Sequence, residues 1–158
     1  MPQARNPREF EQYVNVVIKQ MVEDITQQTL MELRDYVMEE WYLNRTPSEY
    51  DRTYQFLDSL IAKDIKRVTN VFIGEVLSDP KEIIPMWNDE SMWNWHMSVD
   101  GEDYSELITH FIEEGQSSSL YSYGGIHMFQ YTSNWVKKNL DRIAKQTFKK
   151  YGLNLVKN

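Results

Sequence analysis

The 158-residue chain contains no cysteine, which excludes disulfides and thiolate metal sites and fits a reducing cytoplasm. Glycine and proline are scarce, at six and five residues, against a linker-rich or fibrous chain. No uninterrupted apolar run approaches the roughly 18 residues that a membrane-spanning helix needs. The opening Met1-Pro2-Gln3-Ala4-Arg5-Asn6 lacks the apolar stretch of a secretory signal. Basic residues are outnumbered, 17 against 24 acidic, for a net charge of −7, which disfavours non-specific DNA or RNA binding. What is present is a globular composition, 41% hydrophobic and 26% charged, and a length that predicts a single domain over residues 1–158 with a working core. Aromatics reach 13%, with 5 Trp and 10 Tyr, as a demanding core or a contact surface requires.

The charge is unevenly spread. Residues 1–74 carry 9 basic and 12 acidic side chains, whereas residues 75–114 carry Lys81 alone against 11 acids. Residues 136–158 carry 7 basic side chains against Asp141. An acidic middle and a basic C-terminal segment can face each other within one fold, or be solvated separately. They can also complement each other between neighbouring copies, as head-to-tail assembly requires.

The element pattern predicts an α+β fold: a long N-terminal helix, a small antiparallel sheet and a C-terminal amphipathic helix. Asn6-Pro7-Arg8-Glu9 offers a cap, a proline at the first helical position and a glutamate at the third. Phe10, Val14, Val17, Met21 and Ile25, then Leu33, Tyr36, Val37 and Trp41, recur at the three-to-four spacing of one helix face. The polar Thr26-Gln27-Gln28-Thr29 is a place for a bend or a break. A continuous helix over 7–43 would be roughly 55 Å long, too long for a compact domain of this size, so part of its stripe should meet something outside its own core.

A turn at 44–48 precedes a short helical segment over 50–60. Period-two alternation predicts a strand over 65–76 within a strand region of 65–86, with Ile83-Ile84 opening a partner strand. Residues 87–103 have no steady period and read as a tryptophan-rich loop. A helix over 104–114 stops at Gly115. The stretch 116–125, rich in Ser and Gly, reads as a flexible loop. A final helix over 128–151 turns Trp135, Leu140, Ile143, Ala144 and Phe148 inward.

Few constellations carry chemistry. His96, Asp100, Asp103, His110 and Glu114 lie within 19 residues, with His127 beyond, and His110 and Glu114 share a helix face at a workable ligand spacing. No HExxH is present, and Asp100-Gly101-Glu102-Asp103 is too short for a calcium loop. Ser117, Ser118 and Ser119 near His127 lack a nucleophile elbow, and Gly124-Gly125 is not a phosphate loop. Glu113 and Glu114 can do acid–base work or simply end a helix in water. No catalytic residue, metal or cofactor is therefore assigned. Trp87, Trp93 and Trp95 pack a core, anchor a protein interface or stack on a ligand, and base stacking is disfavoured by the acidic surroundings. Lys137, Lys138, Arg142, Lys145, Lys149 and Lys150 form a basic helix face that is either solvated or a contact.

The segment Pro47-x-x-Tyr50-x-Arg52-Thr53-x-x-x-Leu57-x-Ser59-Leu60, between a long helix and a strand, resembles the neck and tail-completion proteins of tailed bacteriophages. In that family the segment reads as Tyr or Pro, an Arg-Thr or Thr-Gly pair, then Leu and Ser. Tyr104, Glu114-Gly115 and Ile126-His127-Met128-Phe129 stand where the family has a helix-opening Tyr, a Glu-Gly pair and the start of the closing helix. The chain departs from the pattern in lacking a Pro before Phe129 and in carrying the tryptophan-rich insert. The resemblance implies a non-enzymatic virion protein of the neck or tail top, made in the host cytoplasm during assembly. Its partners would be copies of itself in a hexameric or dodecameric ring, portal or adaptor proteins and tail proteins. DNA would pass through without sequence-specific binding, and no membrane is involved. The predicted interface residues are Trp87, Trp93, Trp95, Lys137, Lys138, Arg142, Glu113 and Glu114. Two other classes compete with this reading: a soluble protein-binding module, a regulator or inhibitor using its tryptophans, and a metal-dependent hydrolase.

Overall fold

The computed structural model describes residues 6–45, 54–83, 105–117 and 122–154. Its first element, α1 (Pro7–Val37), starts as the sequence dictates. Glu9 N–H donates to Asn6 Oδ1 at 2.9 Å, and Asn6 Nδ2 donates back to Glu9 Oε1 at 3.1 Å. This reciprocal cap satisfies a backbone donor that the first turn would otherwise leave orphaned. The helix does not break at Thr26–Thr29. Thr26 Oγ1 donates to the Val22 carbonyl at 2.8 Å and Thr29 Oγ1 to that of Ile25 at 2.7 Å. Both threonines are buried, and back-bonding makes their hydroxyls compatible with an interior position. A wider-wound π turn, Met38–Leu43, continues the helix to its end, so the helical path covers the 7–43 range.

After the short α2 (Gln55–Ser59) come β1 (Leu60–Val68) and β2 (Val71–Ser78), paired as a two-stranded sheet. The sequence predicts one strand over 65–76, but the chain folds back on itself at Thr69-Asn70. Alternation of period two runs through a two-residue turn without interruption, so the reversal leaves no mark in the pattern. Thr69 takes the positive φ (55°) that such a turn requires, in place of the glycine or asparagine that usually signals it. Ile83, expected to open a partner strand, instead ends the 3-10 turn Pro80–Glu82 as a buried residue.

α3 (Ser105–Glu114) ends at Gly115, whose φ of 86° favours glycine. The stretch expected to be a flexible loop contains β3 (Gly115–Ser117) and β4 (Ser122–Gly124), an antiparallel ladder pairing Gly115 with Gly124 and Ser117 with Ser122. Its register pairs residues across a Ser- and Gly-rich stretch whose composition does not announce a ladder. α4 (Met128–Lys150) closes the fold. Gly152 (φ 72°) and the bond from Leu153 N–H to the Phe148 carbonyl (2.9 Å) finish it in a left-handed cap.

The chain divides into two compact units interleaved in sequence: Met1–Met31 with Ala62–Val76 and Ser133–Asn158, and Glu32–Ile61 with Leu77–Thr132. In the second unit Leu33, Val37, Phe56, Leu60, Ile83, Ile112, Ile126 and Met128 are buried. A hydroxyl relay runs through this unit: Thr109 Oγ1 donates to Ser78 Oγ (2.9 Å), which lies 2.9 Å from Ser59 Oγ, and Ser59 Oγ donates to the Phe56 carbonyl (2.7 Å). Arg34 adds two bonds from Nε and Nη2 to the Leu60 carbonyl, at 3.2 and 2.8 Å. In the first unit the hydrophobic side chains that become buried are Val17, Ile143 and Ala144. There Tyr13 Oη donates to the Tyr151 carbonyl and Thr147 Oγ1 to Asp24 Oδ2 at 2.7 Å.

Candidate functional site

The first unit presents more large apolar side chains than it buries. Phe10, Val16 and Met31 on α1, Val68, Val71 and Ile73 on the hairpin and Leu140 on α4 are all exposed, Met31 at 65% and Val16 at 59%. Leu140 was expected to point inward. The burial pattern places the buried stripe of α4 at Ile143, Ala144 and Thr147, one turn further on than Leu140. Among the described residues of this unit, three apolar side chains are fully buried and seven large ones are exposed, with others of α1 half-buried between them, which leaves a surface in want of cover.

The same unit carries the basic face. Lys137, Lys138 and Arg142 are exposed on α4, with Lys145, Lys149 and Lys150. The Arg142 guanidinium is held by neutral amides of its own helix: Nε and Nη2 donate to Asn139 Oδ1 at 3.2 and 3.1 Å, and Nη1 to Gln146 Oε1 at 3.2 Å. Its charge is thus oriented but not neutralised by these bonds. Lys149 and Lys150 lie in the last turn, where the helix dipole favours cations.

In the second unit, Glu113 (half-buried) and Glu114 (exposed) end α3. The chain returns alongside them, with Ile126 N–H donating to the Ile112 carbonyl (2.9 Å) and His127 N–H to that of Glu113 (3.1 Å). Glu113 Oε2 also accepts from Phe129 N–H, at the opening turn of α4, at 3.1 Å. His127 takes a positive φ of 50°, and its imidazole joins both carboxylates in a group whose ligand atoms lie within 4.8 Å of one another. The sequence pairs Glu114 with His110 as ligands on one helix face. The structure instead gathers Glu114 with Glu113 and His127, through backbone pairing that no sequence spacing records. His110 stands apart, exposed and tilted against Phe111.

Beside this corner Tyr36 and Tyr131 stack face to face, with centroids 3.8 Å apart and planes 7° from parallel. Tyr36 Oη donates to the Ile126 carbonyl at 2.8 Å and Tyr131 Oη to Glu32 Oε1 at 2.6 Å. Burial raises the Tyr36 phenol, with Glu40 and Glu113 adding to the shift and Arg45 opposing it. Tyr131 is pushed up to about 12, first by its hydrogen bond to Glu32 and then by burial. A phenol raised above its unfolded value, near 10, stabilises the fold fully below that pH and loses its contribution as pH rises through about 12. In a phenolate absorbance titration, Tyr131→Phe is expected to reduce the amplitude of the late-ionising component by one tyrosine, with Tyr36 remaining in it; an unchanged amplitude means that the assignment fails.

Of the family-motif positions, Leu57 is half-buried, Ser59 is fully buried in the hydroxyl relay, Gly115 holds the left-handed turn and Phe129 is 39% exposed. Pro47, Tyr50, Arg52, Thr53 and Tyr104 lie outside the described residues, as do Trp87, Trp93, Trp95, His96, Asp100, Asp103, Ser118 and Ser119. Sequence reasoning missed the Tyr36–Tyr131 stack, which has no local signature because its members are 95 positions apart. No protein-family model matches the chain, and no curated protein or solved structure is significantly similar to it.

Proposed function

We propose that the chain is a non-enzymatic structural subunit of a tailed-phage virion, a ring-forming neck, head–tail connector or tail-completion protein. The observation that carries the reading is the imbalance in the first unit, where among the described residues the exposed large apolar side chains outnumber the fully buried ones. Such a surface is covered when a neighbouring copy packs on it. Charge supplies the direction. The exposed basic face of Lys137, Lys138 and Arg142 on one copy meets the acidic 75–114 segment of the next, in which Lys81 is the one basic residue. A heterologous contact of this kind repeats around an axis and gives a ring where the rotation per copy closes the circle, an open filament where it does not. The motif resemblance at 47–60 and 104–129 supplies the biological setting, and the net negative charge suits a passage through which DNA slides without sticking.

Native mass spectrometry and light scattering over a concentration series test this. A discrete hexamer or dodecamer is expected, and a wild-type chain that stays monomeric to its solubility limit overturns the self-closing ring. Lys137→Glu, Lys138→Glu and Arg142→Glu together should return the assembly to monomers. These side chains are exposed on a helix surface, so the helical circular dichroism should persist. Assembly that survives the triple reversal overturns the charge-bridging contact.

A further inference from the structure

The geometry points to a divalent transition-metal site formed by Glu113, Glu114 and His127, of the class that takes zinc. The donors come from two separate elements. Glu113 and Glu114 close α3, while His127 leads into α4 and is fixed against α3 by its own N–H bond to the Glu113 carbonyl. Adjacent residues on a helix point about 100° apart, yet here both carboxylates converge on one imidazole within 4.8 Å.

The charge balance calls for a cation. Among the described residues no lysine or arginine forms an ion pair with either glutamate. Arg45, whose guanidinium donates to the Gly124 carbonyl, brings a positive charge to this corner but forms no ion pair with either carboxylate. One carboxylate oxygen of Glu113 is already engaged by Phe129 N–H, which orients the group and leaves its other oxygen for a ligand, as supporting hydrogen bonds do around metal centres.

The donor set selects the ion. One imidazole nitrogen with two carboxylate oxygens is a borderline set, suited to zinc and its neighbours and poor for calcium, which prefers six to eight oxygens. Tetrahedral ligands at about 2.1 Å from zinc lie roughly 3.4 Å apart. The donors here are within 4.8 Å, so closing the set calls for an inward shift of about 1.4 Å at most between any two of them. Three protein ligands leave a position for water. The consequence is a clamp tying the end of α3 to the start of α4 within one chain.

Isothermal titration of the full chain with zinc chloride, after chelator treatment, tests the site. One zinc per chain is expected. His127→Asn removes the imidazole with a residue that tolerates a positive φ, and Glu114→Gln removes a charge at constant shape. Each should weaken binding about tenfold or more, while His110→Asn leaves it unchanged. Zinc should also raise the melting temperature of wild type and not that of His127→Asn. Three results overturn the site: no saturable binding below about 1 mM, affinity unaltered in both variants, or loss of binding in His110→Asn.

Discussion

Gly125→Ala is expected to destabilise the protein by roughly 3–5 kcal/mol, while Gly124→Ala stays within about 0.5 kcal/mol of wild type. The two glycines are neighbours in sequence and opposites in space. A Cβ on Gly124 meets nothing within 4 Å. One on Gly125 would sit on the Glu113 carbonyl oxygen, 2.5 Å from the Glu114 carbonyl carbon and 2.6 Å from that of Glu113. All three atoms are backbone, so no rotamer change relieves the clash. The loop must lift away from α3, and the bonds from Ile126 to Ile112 and from His127 to Glu113 break with it. Each lost bond costs about 1 kcal/mol, more where a buried partner is left unsatisfied. Thermal unfolding of the two variants side by side checks the contrast, with a melting temperature about 10 °C or more lower for Gly125→Ala. Equal effects would mean that the close approach is absent.

The second large effect is expected at Gly74, by a different route. A Cβ there would collide with Thr26 Oγ1 and come within 3.1 Å of Thr26 Cβ and 3.3 Å of Ile65 Cδ1. The first obstacle is a side chain, so the cost is set by what Thr26 gives up in turning aside. It would abandon its bond to the Val22 carbonyl and leave a buried hydroxyl unpaired. Together with crowding this amounts to about 2–4 kcal/mol. Deleting the obstructing hydroxyl should undo most of the damage. A double-mutant cycle with Thr26→Ala is expected to show a coupling of at least about 1 kcal/mol in the rescuing direction. Additive effects would place the hairpin elsewhere.

Both glycines bear on what a sequence can disclose. The long helix, its cap, the stop at Gly115 and the closing helix with its end at Gly152 were legible because each rests on local chemistry: an Asn-Pro-x-Glu start, a period of three to four, a glycine at a positive φ. The reversal at Thr69-Asn70 was not, since a threonine at a positive φ contradicts the turn preference by which reversals are recognised. Thr26 and Thr29 were misread for the same kind of reason. Their polarity suggests an interruption, and only the tertiary setting makes them interior. Among the candidate site residues, the exposed cations of α4 followed from its amphipathic pattern. The meeting of Glu113, Glu114 and His127 did not, because backbone pairing between residues 112 and 126 creates it.

The interleaving of the two units has a consequence for the order of events as the chain is made. Tyr13 finds Tyr151 across 138 positions, and Asp24 finds Thr147 across 123, so the first unit is closed by contacts of very high sequence separation. Such contacts form late and slowly, because the intervening chain must be organised before its ends are brought together. The N-terminal half of α1 therefore waits for Ile143 and Ala144, which belong to a helix made more than a hundred residues later. During that interval Val17, an eventual core residue, is as available to a neighbouring copy as the permanently exposed Val16. A subunit assembled this way faces a race between completing itself and meeting its neighbours, and its yield should depend on expression rate as much as on final stability.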